Sequence, residues 1–107
     1  MASVYGNRSD VAGNTAVLGT LTSETATSSI EVDALYFTFV HDVIGSVTVV
    51  DEGSLDGTNW FALDTEKAHQ QTGVDAHFYG PCFVRYVRSR ATALGADESV
   101  TITVACT

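Results

Sequence analysis

The chain has 107 residues, enough for one domain with a single core and too few for two. Thirteen acidic side chains against five basic ones give a formal charge of −8, which argues against direct nucleic-acid binding and against an anionic membrane surface, since both need Lys and Arg to meet phosphate. The hydrophobic fraction of 45% predicts a packed domain rather than disorder, and no apolar run is long enough to span a bilayer.

Residues 1–14 are polar, with isolated Val4, Tyr5 and Val11, and read as an extended N-terminal arm ahead of a domain over 15–107. Met1 to Asp10 carries no signal-peptide core, which predicts synthesis in a reducing cytoplasm. Thr15 to Thr22 alternates around Val17 and Leu21 and predicts an edge strand. Ile30 to Val40 is the strongest strand. Its apolar set changes parity at Asp33-Ala34, from Ile30 and Val32 to Leu35, Phe37 and Phe39, as a bulge or bend would require. His41-Asp42 reads as a turn, followed by a strand over Ile44 to Glu52.

Asp56-Gly57 has turn chemistry, and Trp60 to Leu63 then forms a short strand. Asp64 to Gly73 is polar and accommodates one helical turn. Val74 to Tyr79 leads into Gly80-Pro81, Cys82 to Thr92 reads as a long strand, and a turn over Ala93 to Asp97 returns the chain through Glu98 to Cys106. In that last strand Val100, Ile102, Val104 and Cys106 alternate with Thr101, Thr103 and Ala105, the pattern of one buried and one solvated face. The sum is an all-β fold: an antiparallel β-sandwich, Ig-like or jelly-roll-like, of about seven strands.

The segment Glu52 to Trp60 contains S-x-D-G-x-x-W. It is followed by Tyr79-Gly80-Pro81 and by Phe83-Val84-Arg85-Tyr86-Val87-Arg88. From Val47 to Val104 this pattern resembles small β-sandwich proteins encoded among the structural genes of tailed bacteriophages. The resemblance implies a virion component: a head decoration (cement) protein, a head fibre or a tail accessory domain. It brings no catalytic residues. Similar segments also occur in carbohydrate-associated and adhesin-like sandwiches.

The same segment has a physical reading of its own. Asp56-Gly57 makes the turn, and Trp60 enters the core after it, with a ligand-stacking surface position as the other reading. The acids Asp51, Glu52 and Asp56 lack the alternate-residue spacing of an EF-hand loop. Arg85, Arg88 and Arg90 gather three of the five basic residues, either as a stripe that pairs with acids of a neighbouring subunit or as local partners of this chain's own acids. His41, His69 and His77 fall in different predicted turns without close metal-ligand spacing, so neither a zinc site nor any cofactor is expected. Cys82, beside Pro81 and Phe83, and Cys106 read as buried thiols, although a turn at Ala93 to Asp97 would bring them to one end of a ladder.

Three functions compete. A structural role predicts contacts through the arm (Val4, Tyr5, Arg8) and the arginines (Arg85, Arg88, Arg90), with the major capsid protein or another virion protein as partner. It also predicts a homo-oligomer, a trimer by preference, on a capsid surface assembled in the host cytoplasm. A carbohydrate-binding module would use Asp56, Trp60, Phe61 and Tyr79. An enzyme would need converging carboxylates or a His-based dyad, and the sequence offers neither, so no activity is expected.

Overall fold

The computed structural model describes residues 3–5, 15–33 and 35–106. They form ten strands and, among the described residues, no helix. The strands are β1 (Ser3–Tyr5), β2 (Thr15–Leu21), β3 (Ile30–Asp33), β4 (Phe37–Ile44), β5 (Val47–Ser54), β6 (Phe61–Ala62), β7 (Lys67–His69), β8 (Gly73–Tyr79), β9 (Tyr86–Leu94) and β10 (Ser99–Cys106). They make a two-sheet sandwich. One sheet runs β1-β3-β9-β5-β6, with β7 also paired to β5; the other runs β2-β10-β4-β8. Every pairing is antiparallel except β1 with β3, which is parallel.

The inward-facing parities of the two sheets meet in the middle. Phe37, Phe39 and Val43 of β4 and Val100, Ile102 and Val104 of β10 come from one sheet; Val47 and Val49 of β5, Val87 and Ala91 of β9, and Ile30 and Val32 of β3 come from the other. All are buried. Full burial of such a side chain stabilises the fold by about 1.5–3 kcal/mol, so the alternation seen in β10 is a direct statement of which face drives folding.

Several local expectations differ from the structure, each for a physical reason. The parity change at Asp33-Ala34 is no bulge within one strand: β3 and β4 belong to different sheets, and the chain crosses the sandwich between them. The turn expected at His41-Asp42 lies four residues later, at Gly45-Ser46, where Gly45 takes φ +87°. His41 instead continues the inward row of Phe37 and Phe39. The segment after Asp64 makes no helical turn; Lys67–His69 pairs with Val47–Val49 of β5. Residues 82–85 precede β9 rather than belonging to it. Because β9 and β10 lie in different sheets, the turn between them closes no hairpin ladder. Splitting Ile30–Val40 and adding β1 and β7 accounts for ten strands in place of seven.

Candidate functional site

Two features of the sandwich stand out: a nearly uncharged outer face on the four-stranded sheet, and a polar centre between the two sheets.

The outer face follows from register. Val17 of β2, Thr103 of β10, Val40 of β4 and Ala76 of β8 lie in one row across the sheet. Thr20, Thr101, Asp42 and Val74 form another, and Ala105, Thr38 and Phe78 a third. Val17, Ile44, Val74 and Phe78 are all more than half exposed, Phe78 at 79%. Asp42 is the single charged side chain in these rows, and none of the four strands contains Lys or Arg. At the Phe78 end, Leu35, Tyr36 and Phe83 add further exposed apolar surface. Strand β8 is inverted relative to an ordinary edge strand: Val74, Ala76 and Phe78 face out, while His77 and Tyr79 are turned inward.

The inward side of β8 faces the polar centre. Asp51 of β5 is 1% exposed and accepts three hydrogen bonds: from His41 Nε2 (2.8 Å), Ser89 Oγ (2.7 Å) and Tyr79 Oη (2.6 Å). Burial pushes its carboxyl pKa up. The hydrogen bond and charge of His41, with the Tyr79 and Ser89 hydroxyls, outweigh burial and leave the carboxyl below its ordinary value. The Tyr79 phenol is pushed up, first by burial and then by its bond to Asp51. The far nitrogen of His41, Nδ1, lies 2.9 Å from Nε2 of His69 on β7. The His77 ring sits 4.4 Å from that of His41, centroid to centroid. His69 and His77 are both held below the usual imidazole pKa, chiefly by burial and next by the charge of His41. An open depression of about 290 Å³, lined by residues 68–75, lies over His69 and Asp75. The arrangement contains no Ser-His-Asp relay, because Ser89 donates to the carboxylate and not to the imidazole.

The other residues singled out in the sequence land elsewhere. Trp60 does not enter the core: it is half-buried, with the Arg88 guanidinium 4.3 Å above its ring. A short segment that must pass from the Asp56 turn to the β5 edge leaves the indole on the outer side of the six-stranded sheet. Glu52, 6% exposed, accepts a hydrogen bond from Arg88 Nε at 2.8 Å and lies 3.5 Å from Arg90. Arg85 lies 3.4 Å from Glu31. The three arginines therefore meet acids of their own chain.

The Asp56 carboxylate is engaged by its own turn. It accepts from the backbone N–H of Thr58 and Asn59, both at 2.8 Å, from Asn59 Nδ2 at 2.7 Å and from Ser54 Oγ at 3.0 Å. Those bonds hold its pKa well below the carboxylate range. Gly57 at φ +79° completes the turn. Of the four residues expected of a glycan site, Phe61 is exposed, while Asp56, Trp60 and Tyr79 are engaged by Asn59, Arg88 and Asp51 respectively. Ser3–Tyr5 pairs in parallel with Glu31–Asp33 of the same chain. Arg8 lies outside the described residues. Cys82 is half-buried against the core, its thiol pushed up by burial, and Cys106 is fully buried.

Sequence spacing missed the polar centre because its members come from five strands, β4, β5, β7, β8 and β9. One signal for it was present: His41 falls on the same parity as Phe37, Phe39 and Val43, an inward position by alternation alone. A scan against protein-family models found no match to this chain, and a search of curated proteins found none either.

Proposed function

We propose that the chain is a virion structural protein of a tailed bacteriophage: a capsid decoration (cement) protein that binds the major capsid lattice and stabilises it through multivalent protein contacts. The observation that carries this reading is the outer face of the four-stranded sheet. A face of Val, Thr, Ala and Phe with one charge in three rows is costly to leave in water and has nothing to repel a partner. It suits a flat protein surface better than a sugar or a phosphate, which need convergent polar groups. The phage assignment rests on the S-x-D-G-x-x-W and aromatic-V-R segments. Repeated placement on a symmetric lattice, with the chain as a trimer at three-fold positions, turns modest single contacts into tight attachment.

The test is co-sedimentation of the purified chain with heads of the phage whose genome carries it. Wild type is expected to pellet with the heads to saturation. A Val74→Asp/Phe78→Asp double variant with an unchanged thermal midpoint is expected to stay in the supernatant. Light scattering of the free chain reports the trimer. Wild type that fails to pellet, or a double variant that pellets equally, overturns the reading; binding to tails alone moves the protein to a tail accessory role.

A further inference from the structure

We propose that His41, His69 and His77 form a binding site for a transition-metal dication of the zinc class, which staples the two sheets together. One ring nitrogen from each of the three lies within 4.8 Å of the others. The three come from different strands: His41 from β4 and His77 from β8 of one sheet, His69 from β7 on the edge of the other. Donors around a tetrahedral ion at about 2.1 Å stand roughly 3.4 Å apart, which falls between the 2.9 Å from His41 Nδ1 to His69 Nε2 and the 4.8 Å bound on all three.

Two details favour a ligand over a merely structural polar cluster. The first is His77 Nε2, which is buried and has no hydrogen-bond partner. Its nearest acid, Asp75 Oδ2, is 3.6 Å away, beyond hydrogen-bond reach. Buried polar atoms are almost always satisfied, and an unpartnered ring nitrogen beside two other imidazoles is a position a metal would satisfy. The second is Asp51. A carboxylate only accepts, so its bond holds a proton on His41 Nε2 and turns Nδ1 toward the cluster, where the neutral imidazole offers its lone pair. Ser89 and Tyr79 hold Asp51 in turn. This carboxylate–histidine arrangement orients and strengthens a metal-binding imidazole.

His41 Nδ1 and His69 Nε2 face one another at 2.9 Å, a separation that one shared proton bridges in the metal-free chain. When the ion enters, His69 carries its proton on Nδ1, the nitrogen 3.9 Å from Asp75 Oδ2. Of the three histidines, His69 lines the open depression at residues 68–75. Imidazole donors select zinc, cobalt, nickel or copper over calcium and magnesium, which prefer all-oxygen sites.

The site is independent of the capsid-binding reading, and its test needs no partner. The full chain, stripped with chelator, is titrated with zinc and, separately, with cobalt at neutral pH. One ion per chain is expected, with the visible absorption of tetrahedral cobalt and a thermal midpoint raised by roughly 10 °C at a hundredfold excess of zinc over Kd. Calcium and magnesium are expected to have no effect. His77→Gln, which keeps a polar group of similar size, is expected to weaken zinc binding at least tenfold, and Cys82→Ala to leave it unchanged. If His77→Gln does not fold, His69→Gln at the more open strand β7 makes the same test. Absence of zinc and cobalt binding to the wild-type chain, or binding that is unchanged in the histidine variant and lost in Cys82→Ala, overturns the proposal.

Discussion

Replacing Asp51 by alanine removes one acceptor from three donors at once. His41 and Ser89 are both 0% exposed, so water cannot replace the lost oxygen for either. Tyr79 is half-buried and recovers part of its loss from solvent. An orphaned buried donor costs about 1–3 kcal/mol, and two of the three donors here are out of reach of water. We expect Asp51→Ala to lose about 3–5 kcal/mol. A domain of this size holds about 5–15 kcal/mol in all, so the variant stands near the limit of folding. Asp51→Asn keeps the shape and one acceptor but turns an amide N–H toward one of the same donors, and a smaller loss of about 1–3 kcal/mol is expected. Urea unfolding at pH 7 in the presence of a chelator, followed by fluorescence, measures both. The midpoints should fall while the slope stays constant. A loss below about 1 kcal/mol for Asp51→Ala would mean that the donors rehydrate, and the account of a dry polar centre would be wrong.

Three further perturbations probe other parts of the molecule. At Gly53 an added Cβ would stand 2.7 Å from Val84 Cγ1 and 2.9 Å from Leu63 Cδ2, so Gly53→Ala is expected to cost about 1–3 kcal/mol, read as a lower thermal midpoint. Arg88→Ala strips the guanidinium from Trp60 and leaves Glu52 with Arg90 alone; a red-shifted indole emission and a loss of about 1–2 kcal/mol are expected, with Arg88→Lys restoring the charge but little of the stacking. Glu98 accepts from the backbone N–H of Ser46 and Gly95, and these bonds hold its pKa below the usual 4.5. Its folded pKa is the depressed one, so its contribution is complete above pH 4.5 and is lost as pH falls through the folded value; the gap in stability between wild type and Glu98→Gln should close over that acid range, measured by denaturant midpoints at stepped pH.

The sandwich was legible wherever a strand has one face in oil and one in water. Val100, Ile102, Val104 and Cys106 declare β10 without ambiguity, because burial and alternation agree. The signal fails where the interior is itself polar. Around Asp51 the inward residues are His41, His77 and Tyr79, and in β8 the apolar residues Val74 and Phe78 face out. Read by hydropathy alone, such a strand has its inside and outside exchanged. Trp60 misled in the opposite sense: a large ring suggests the core, yet an arginine supplied a partner on the surface. The histidines were invisible as a group because spacing along the chain reports local elements, and here three strands from two sheets had to pair before the rings met. The turn at Asp56-Gly57 was legible because its hydrogen bonds are local.

Strand β10 comes last in chain order but lies between β2 and β4, holding both. A ribosome therefore releases the other nine described strands before the one that joins β2 to the rest of its sheet. Until Ser99–Cys106 emerges, Leu21 lacks its partner Val100 and Phe39 lacks its partner Val104. Folding of this sheet is thus an event that waits for the end of translation of these residues, and non-local pairing of this kind is slow. A chain cut before Ser99 would lose the central strand of its sheet rather than a dispensable edge.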